Sequence, residues 1–425
     1  MAESSSRPEP SRPLRIALLT PAWPIGPVPN GIVTYARHVV PALRAKGIEV
    51  FVVTSYVAPD TEDPQVSVPR QARGSLIVRA LGRLQHTVSP GAPSERRDAR
   101  SIAGEIARLE REHAIDLVEM EESFGWCGAV AERCATPVVA RLHGPWFLNG
   151  AMVEDTTTRA FRRRVRREGV AIAQVAGVSA PSRDVLERTR ARYGHALADA
   201  EVIPNPLPPV APAEHWDAHS CERDTILFVG RFDRHKAGDV AIEAFARVRA
   251  ALPSARLLFA GQDSGVTDAS GRVWHVREFL AGRLTRAADR DAVEYLGPQP
   301  PDAIRALRRR AALTLICSRW ENFPYTLGEA MSFGCPVVAT ATGGLVELVT
   351  DGENGLLARP DDPDDLARAA LELLRDPERA ARLGAHAAAT SAKLLSPDAV
   401  ADQTLAFYRR VLARSGPRTA GSAGA

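Results

Sequence analysis

Two glutamates, Glu321 and Glu329, stand eight positions apart around the stretch N-F-P-Y-T-L-G, which carries no charge. A carboxylate accepts hydrogen bonds from hydroxyls, so two at this spacing can each serve a different hydroxylated ring. Solvated glutamates are the plainer alternative, and the apolar filling suits them poorly. Two cations sit in "VGRFDRHKAGDV": Arg231 just after an apolar run, Lys236 just before a helical one. A guanidinium and an ammonium converging at a helix entrance suit a pyrophosphate; two solvated loop cations are the ordinary alternative. His143, in "RLHGPWFLNG", follows a strand-like run and precedes a glycine. An imidazole there can donate to a sugar hydroxyl or a phosphate oxygen, although a lone histidine is more often a cap or core residue. Asn30-Gly31 closes a proline-rich loop and opens a helix, where free N–H groups attract phosphate; a plain turn is the alternative. The loop "EMEESFGWCG" places Glu119, Glu121 and Glu122 beside Phe124 and Trp126. Carboxylates with aromatics suit a cationic or polyhydroxylated ring, with Trp23, Trp146 and Phe147 as further candidates to stack on a sugar face; a solvated loop is the alternative.

Strands and helices must position these groups. "LTLICS" (313–318) reads as a strand, which makes Arg319–Pro324 the loop at its carboxyl end. Pro324 or Tyr325 starts a helix, Leu327, Ala330 and Met331 share one of its faces, and Gly334 stops it. Further strand-like runs are "LRIALLT" (14–20), "EVFVVT" (49–54), "IDLVEM" (115–120), "PVVARL" (137–142), "TILFVG" (225–230), "RLLFAG" (256–261), "AVEYLG" (292–297) and "PVVATA" (336–341), alternating with helical periodicity such as 32–47. Strands alternating with helices imply parallel βαβ units, twice over. The fold class is α/β: two doubly wound, Rossmann-like parallel-sheet domains facing a cleft, with ligands beyond the carboxyl ends of the strands. The expected boundaries are an N-terminal domain over 14–205, a C-terminal domain over 206–399, a helix at 400–413 crossing back to the first, and disordered tails at 1–13 and 414–425. "VIPNPLPPVAPAEH" (202–215) reads as the linker, and 57–100 as a long loop region with one candidate strand, "SLIVRA".

Composition narrows the class. The 425 residues are 45% hydrophobic and 25% charged, with 54 basic against 51 acidic residues, a balance that argues against a nucleic-acid partner. The five cysteines form no CxxC pair and read as reduced thiols of a cytoplasmic protein. A polar, proline-rich start lacks a signal-peptide core, and no run of about 18 apolar residues exists to span a membrane. "TRAFRRRVRREGVAI" (158–172) carries six arginines. Peripheral contact with an anionic membrane is weighed there and not favoured, because the apolar face is narrow.

The run from Glu321, "ENFPYTLGEAMSFGCPVVATATGGLVELV", resembles the E-x7-E signature and the following Gly-Gly-x-x-Glu element of the family-four retaining glycosyltransferases of GT-B architecture. "GRFDRHKAGD" resembles that family's phosphate loop, "VIPNPL" its linker, "LHG" its His-Gly element and "PNGI" its Gly-Gly-Ile. The order holds from about residue 14 to 410. The resemblance implies transfer of a hexosyl-type sugar from a nucleotide diphosphate sugar with retained configuration, UDP favoured and GDP next. The family holds its acceptor in the first domain, where the carboxylates and aromatics of 119–128 suit a small polyhydroxy or amino-containing molecule, or a cell-surface or natural-product precursor. Glu329 would bind the ribose hydroxyls, Glu321 the donor sugar, and Arg231 and Lys236 the departing diphosphate. Gly31 would meet the phosphates, His143 the sugar near its anomeric centre, and Gln299 the base. Asn322, Phe323, Pro324 and Leu327 would complete the nucleotide-sugar site, and Trp23, Glu121, Glu122 and Trp146 the acceptor site. The resemblance implies no cofactor and no catalytic metal. A GT-B epimerase or an inactive binding module is the alternative; the joint presence of Glu321, Glu329, Arg231, Lys236 and His143 argues against the inactive form. Four positions depart from the family pattern: Asn30, Asn322 and Pro324 where glycines are usual, and Gly328 where leucine is frequent.

Overall fold

The computed structural model describes residues 12–26, 30–69, 92–152 and 154–415. The candidate strand "SLIVRA" lies outside them. The strands among the described residues are, in chain order, β1 (Arg15–Thr20), β2 (Glu49–Thr54), β3 (Val66–Ser67), β4 (Leu117–Glu121), β5 (Val138–Arg141), β6 (Gly177–Ala180), β7 (Glu201–Val202), β8 (Glu222–Val229), β9 (Arg256–Ala260), β10 (Val266–Thr267), β11 (Val273–Trp274), β12 (Val293–Gly297), β13 (Ala311–Ile316), β14 (Val337–Thr340) and β15 (Leu356–Ala358). One sheet has the order β3-β2-β1-β4-β5-β6-β7 and the other β12-β9-β8-β13-β14-β15; β10 and β11 form a small antiparallel hairpin. The second sheet is parallel throughout, as are the pairings from β3 to β6 in the first. The β-branched runs of β2, β5 and β14 are buried on both faces, as parallel sheets covered by helices require. The fold class is therefore two parallel-sheet α/β domains.

Contacts divide the chain into two compact units. The first holds the described residues through Ser179, Tyr193–Glu201 and the stretch from Ala401; the second holds Ala180–Arg192 and Val202–Val400. In the first, the helix Gly31–Ala45 is capped by Asn30, whose Oδ1 accepts from the Ile32 N–H at 2.8 Å. Pro41 lies within that helix. The helix Arg159–Gln174 buries Phe161, Val165 and Ile172, so its apolar side packs inward while Arg162, Arg163 and Arg166 stay exposed. The last helix, Pro397–Ser415, runs two residues past the start of the tail expected from 414. Its fully buried Tyr408 donates to Glu119 Oε2 at 2.7 Å, and Tyr35 donates to the other oxygen at 2.9 Å. In the second unit, the proline-rich stretch after Val202 is not a loose spacer. Ile203, Asn205 and Leu207 are buried, and the Leu207 N–H donates to Leu395 O at 2.7 Å. Among the described residues no helix is long and apolar enough to cross a membrane.

Candidate functional site

β13 ends at Ile316 and delivers the loop that carries Glu321, which is 4% exposed. Its Oε1 receives the Lys236 ammonium at 2.5 Å and the Ser318 hydroxyl at 2.7 Å. Lys236 comes from the loop after β8, so the carboxyl ends of two adjacent strands supply the pair. Burial alone would raise the Glu321 carboxyl, but the charges of Lys236 and His235 outweigh it and hold it below the ordinary range. His235 is itself held low by burial, and its Nε2 lies 2.7 Å from Trp320 O. Arg319 clasps Asp239 through two nitrogens at 3.1 and 2.8 Å, and the Thr340 hydroxyl donates to Ser318 O at 2.6 Å. Gly343 has φ +50°, and a Cβ there would stand 2.3 Å from Glu321 O. The loop is thus fixed from three directions, which is what a preorganised site requires.

The helix Tyr325–Ser332 follows directly. Its first-turn amides at Thr326 and Leu327 have no acceptor within the helix and face a Pro324 cap that offers no side-chain bond. The side chains of Phe323 and Leu327 lie in the apolar core with Leu207 and Phe333, so any part they take in ligand binding falls to their backbone. Asn322 Oδ1 is buried and has no partner among the described residues. Glu329 keeps 45% of its side chain exposed and receives Arg308 Nη2 at 2.9 Å. Gly328 is explained by packing, because a Cβ there would stand 2.4 Å from Leu207 Cδ1. The two cations differ from a free phosphate clamp. Arg231 is exposed and paired with Asp233 at 2.5 Å, while Lys236 is engaged with Glu321. Gln299, after β12, donates to Leu296 O at 2.6 Å.

In the first unit the ends of β4 and β5 gather a second group. Glu122 is buried, and its Oε2 accepts from the His143 N–H at 2.8 Å. It therefore holds the His143 loop rather than lining a surface, which corrects its reading as an acceptor contact. Glu168, also buried, accepts from the N–H groups of Phe124 at 3.1 Å and Trp146 at 2.6 Å, and from Arg164 at 3.0 Å. The Arg164 guanidinium lies 3.9 Å from the Phe124 ring and 3.5 Å from the Trp146 ring, covering one face of each. Phe124 stacks on Trp126 with centroids 5.0 Å apart. Glu121 is half-buried and accepts from the Ser123 hydroxyl. Trp23 is buried, bonded through its N–H to Tyr56 O, and has no open face for a sugar; that expectation too is corrected. The half-buried imidazole of His143 packs edge-on to Tyr35 and is held neutral, well below its ordinary value, by burial and by Arg141. Gly31 opens its helix behind an amide already capped by Asn30. Glu168 and Arg308 escaped sequence reasoning because each lies in an arginine-rich run, where the pattern suggests only a solvated face.

Burial and the neighbouring Glu168 push the Glu122 carboxyl up to about 8, and burial lifts Glu121 to about 7. A raised carboxyl stabilises the fold fully below its unfolded value, and that contribution is lost as pH rises through the folded value. E122Q keeps an acceptor for the His143 N–H without the charge. The melting temperature of E122Q relative to wild type should therefore rise as pH goes from 4.5 to about 8, and differential scanning calorimetry across that range checks it. A constant difference would mean Glu122 does not titrate there.

Two family models match. "Glycosyltransferase Family 4" covers residues 29–209, and "Glycosyl transferases group 1" covers 217–390. The D-inositol 3-phosphate glycosyltransferase of Thermobifida fusca is 30% identical over 322 residues, covering 72% of this chain and 73% of that protein. The enzyme of the same name from Nocardiopsis dassonvillei is 28% identical over 412 residues, covering 90% and 95%. Among solved structures, sucrose-phosphate synthase from Thermosynechococcus elongatus superposes with a TM-score of 0.69 at 22% identity, covering 94% of this chain and 100% of that one. Anabaena HepE, solved with UDP and glucose, gives 0.64 at 18% identity, covering 93% and 100%.

Proposed function

The chain belongs to glycosyltransferase family 4 and is a glycosyltransferase of the GT-B type, and we propose that it moves a hexosyl group from a UDP-sugar to a hydroxyl of a small polyhydroxy acceptor with retention of configuration. The observation that carries this reading is the pairing of a buried, ion-paired Glu321 with a half-exposed Glu329 eight residues on, at the carboxyl end of β13. Glu321 takes hydroxyls of the donor sugar, and Glu329 takes the ribose. Lys236 and Arg231 offset the diphosphate charge, Arg231 by leaving its exposed pairing with Asp233. No catalytic metal is invoked, because these two cations serve the leaving group. Backbone groups from Asn322 to Leu327 approach the phosphates, and Gln299 the base. The acceptor hydroxyl bonds to the anomeric carbon on the face the diphosphate leaves, and a phosphate oxygen takes its proton.

Solved HepE complexes with UDP and with UDP-glucose support a uridine donor, with GDP as the next choice. Relatives named for an inositol phosphate support a polyhydroxy acceptor over an amino one. Glu121 and the exposed parts of Phe124, Trp126 and Trp146 are the acceptor contacts in this proposal. A cytoplasmic setting belongs to the same reading, supported by five free cysteines, three of them buried.

A thermal-shift panel of UDP-, GDP- and ADP-sugars tests the donor, since a bound ligand raises the melting temperature by mass action. UDP-sugars should give the largest shift, and E329A should abolish it. No shift with any of them sinks the transferase reading, and turnover without an acceptor product would favour an epimerase. G343A should lower kcat/KM by about ten- to a hundredfold, because the added carbon displaces the Glu321 backbone. Unchanged kinetics would mean that the loop tolerates the shift.

A further inference from the structure

The run Arg308-Arg309-Arg310 closes the helix Pro301–Arg310, and its members have different fates. Arg309 is exposed, Arg310 pairs with Glu222 at 2.6 Å, and Arg308 is only 1% exposed. Burying a guanidinium is costly unless an acid receives it. The acid here is Glu329, which accepts from Arg308 Nη2 at 2.9 Å, while Nη1 is buried with no acceptor among the described residues. Arg308 lies on the helix entering β13 and Glu329 on the helix that follows it. The pair therefore fixes the carboxylate against a second helix, not only along its own.

The asymmetry of the pair is informative. A cation wholly inside the protein holds one oxygen of a carboxylate whose side chain is 45% exposed. Oε2 retains a lone pair and Oε1 retains both. A free glutamate must surrender rotamer freedom when it binds a ligand, and one already held does not. We propose that Arg308 is a positioning residue for donor recognition: it presets the Glu329 carboxylate to receive the vicinal diol of the nucleotide ribose. This rests on the reading of Glu329 as the ribose contact.

The test compares UDP and GDP with their 2′,3′-dideoxy counterparts by isothermal titration calorimetry, on wild type, R308M, R308K and E329A. Methionine keeps most of the volume, and the Glu329 carboxylate left behind is half-exposed, so R308M strands no fully buried charge. Lysine keeps the charge but loses the planar fork, so it gives the same comparison in a second background. R308M and R308K should raise the Kd of the ribose-bearing nucleotide on the order of tenfold while leaving that of the dideoxy form unchanged. Equal weakening of both forms, or of neither, would overturn the proposal and leave Arg308 a general support of the fold. E329A speaks to the underlying reading alone. If E329A still prefers the ribose form over the dideoxy form as strongly as wild type does, or if no nucleotide binds wild type, the ribose assignment fails and the role of Arg308 falls with it.

Discussion

Glu321→Gln should lower kcat by about 10²- to 10³-fold while leaving UDP affinity unchanged or slightly tighter. The substitution removes the charge that pairs with Lys236 but not the bulk that fills the loop. Lys236 is then freed toward the diphosphate, so ground-state binding of the nucleotide does not suffer. What is lost is the acceptor that orients the sugar, and this appears in turnover. Stability falls as well, because removing one partner of a buried pair costs about 3–5 kcal/mol when the other charge stays uncompensated. K236M/E321Q should recover part of that loss, and a thermal-melt cycle over the two sites measures it. The pH dependence has a definite sign. The Glu321 carboxyl is held below its ordinary 4.5, so its contribution to stability is present above that value and is lost only as pH falls through the lower folded value. The wild-type pH–rate profile should accordingly show no acid limb from Glu321 above 4.5. A nucleotide Kd that rises in step with the loss of kcat would remove the division of labour between Glu321 and Glu329.

Glu119→Ala should destabilise the first unit by about 3 kcal/mol or more. Its carboxylate is buried, and burial raises its proton affinity, offset by Arg141 and by the hydroxyls of Tyr408 and Tyr35. Truncation leaves two buried hydroxyls without their acceptor and opens a cavity beside Arg141. Tyr408→Phe removes a single donor and should cost about 1–2 kcal/mol. Two-unit proteins rarely unfold in one step, so the proper readout is native-state hydrogen exchange at β4 and in the helix Pro397–Ser415. Exchange should quicken in both elements in E119A. Acceleration confined to β4 would mean that the helix docks without this bond.

Much of this architecture was legible in the sequence. The strands at 15–20, 49–54, 138–141 and 256–260 match short, largely apolar runs, because a strand buried on both faces must be apolar at most positions. β6 and β15 were not read, since "GVSA" and "LLA" are too short to show a period. The hairpin of β10 and β11, two residues per strand, left no pattern either. At the site, the loop and helix around Glu321 and Glu329 were readable because the proline and glycine punctuate them. The partners were not. Nothing in the spacing says that Arg308 turns inward while Arg309 stays out, or that Glu168 knots three segments together, since both depend on packing between elements distant in sequence. Trp23 misled for the same reason: an aromatic in a proline-rich loop looks available, but its backbone pairs with the segment after β2 and its side chain is buried.

Glu119 and Tyr408 are 289 residues apart, yet both belong to the first unit. During synthesis, β4 emerges from the ribosome long before its hydroxyl donor is translated. The amino-terminal unit must therefore wait with a buried carboxylate half satisfied while the entire second unit is made. Vectorial, domain-by-domain folding ordinarily lets the first half mature early. Here the helix Pro397–Ser415 withholds that option until the second unit has been made. A stop codon before residue 401 would leave an unfinished first unit and a second one that keeps every one of its own residues.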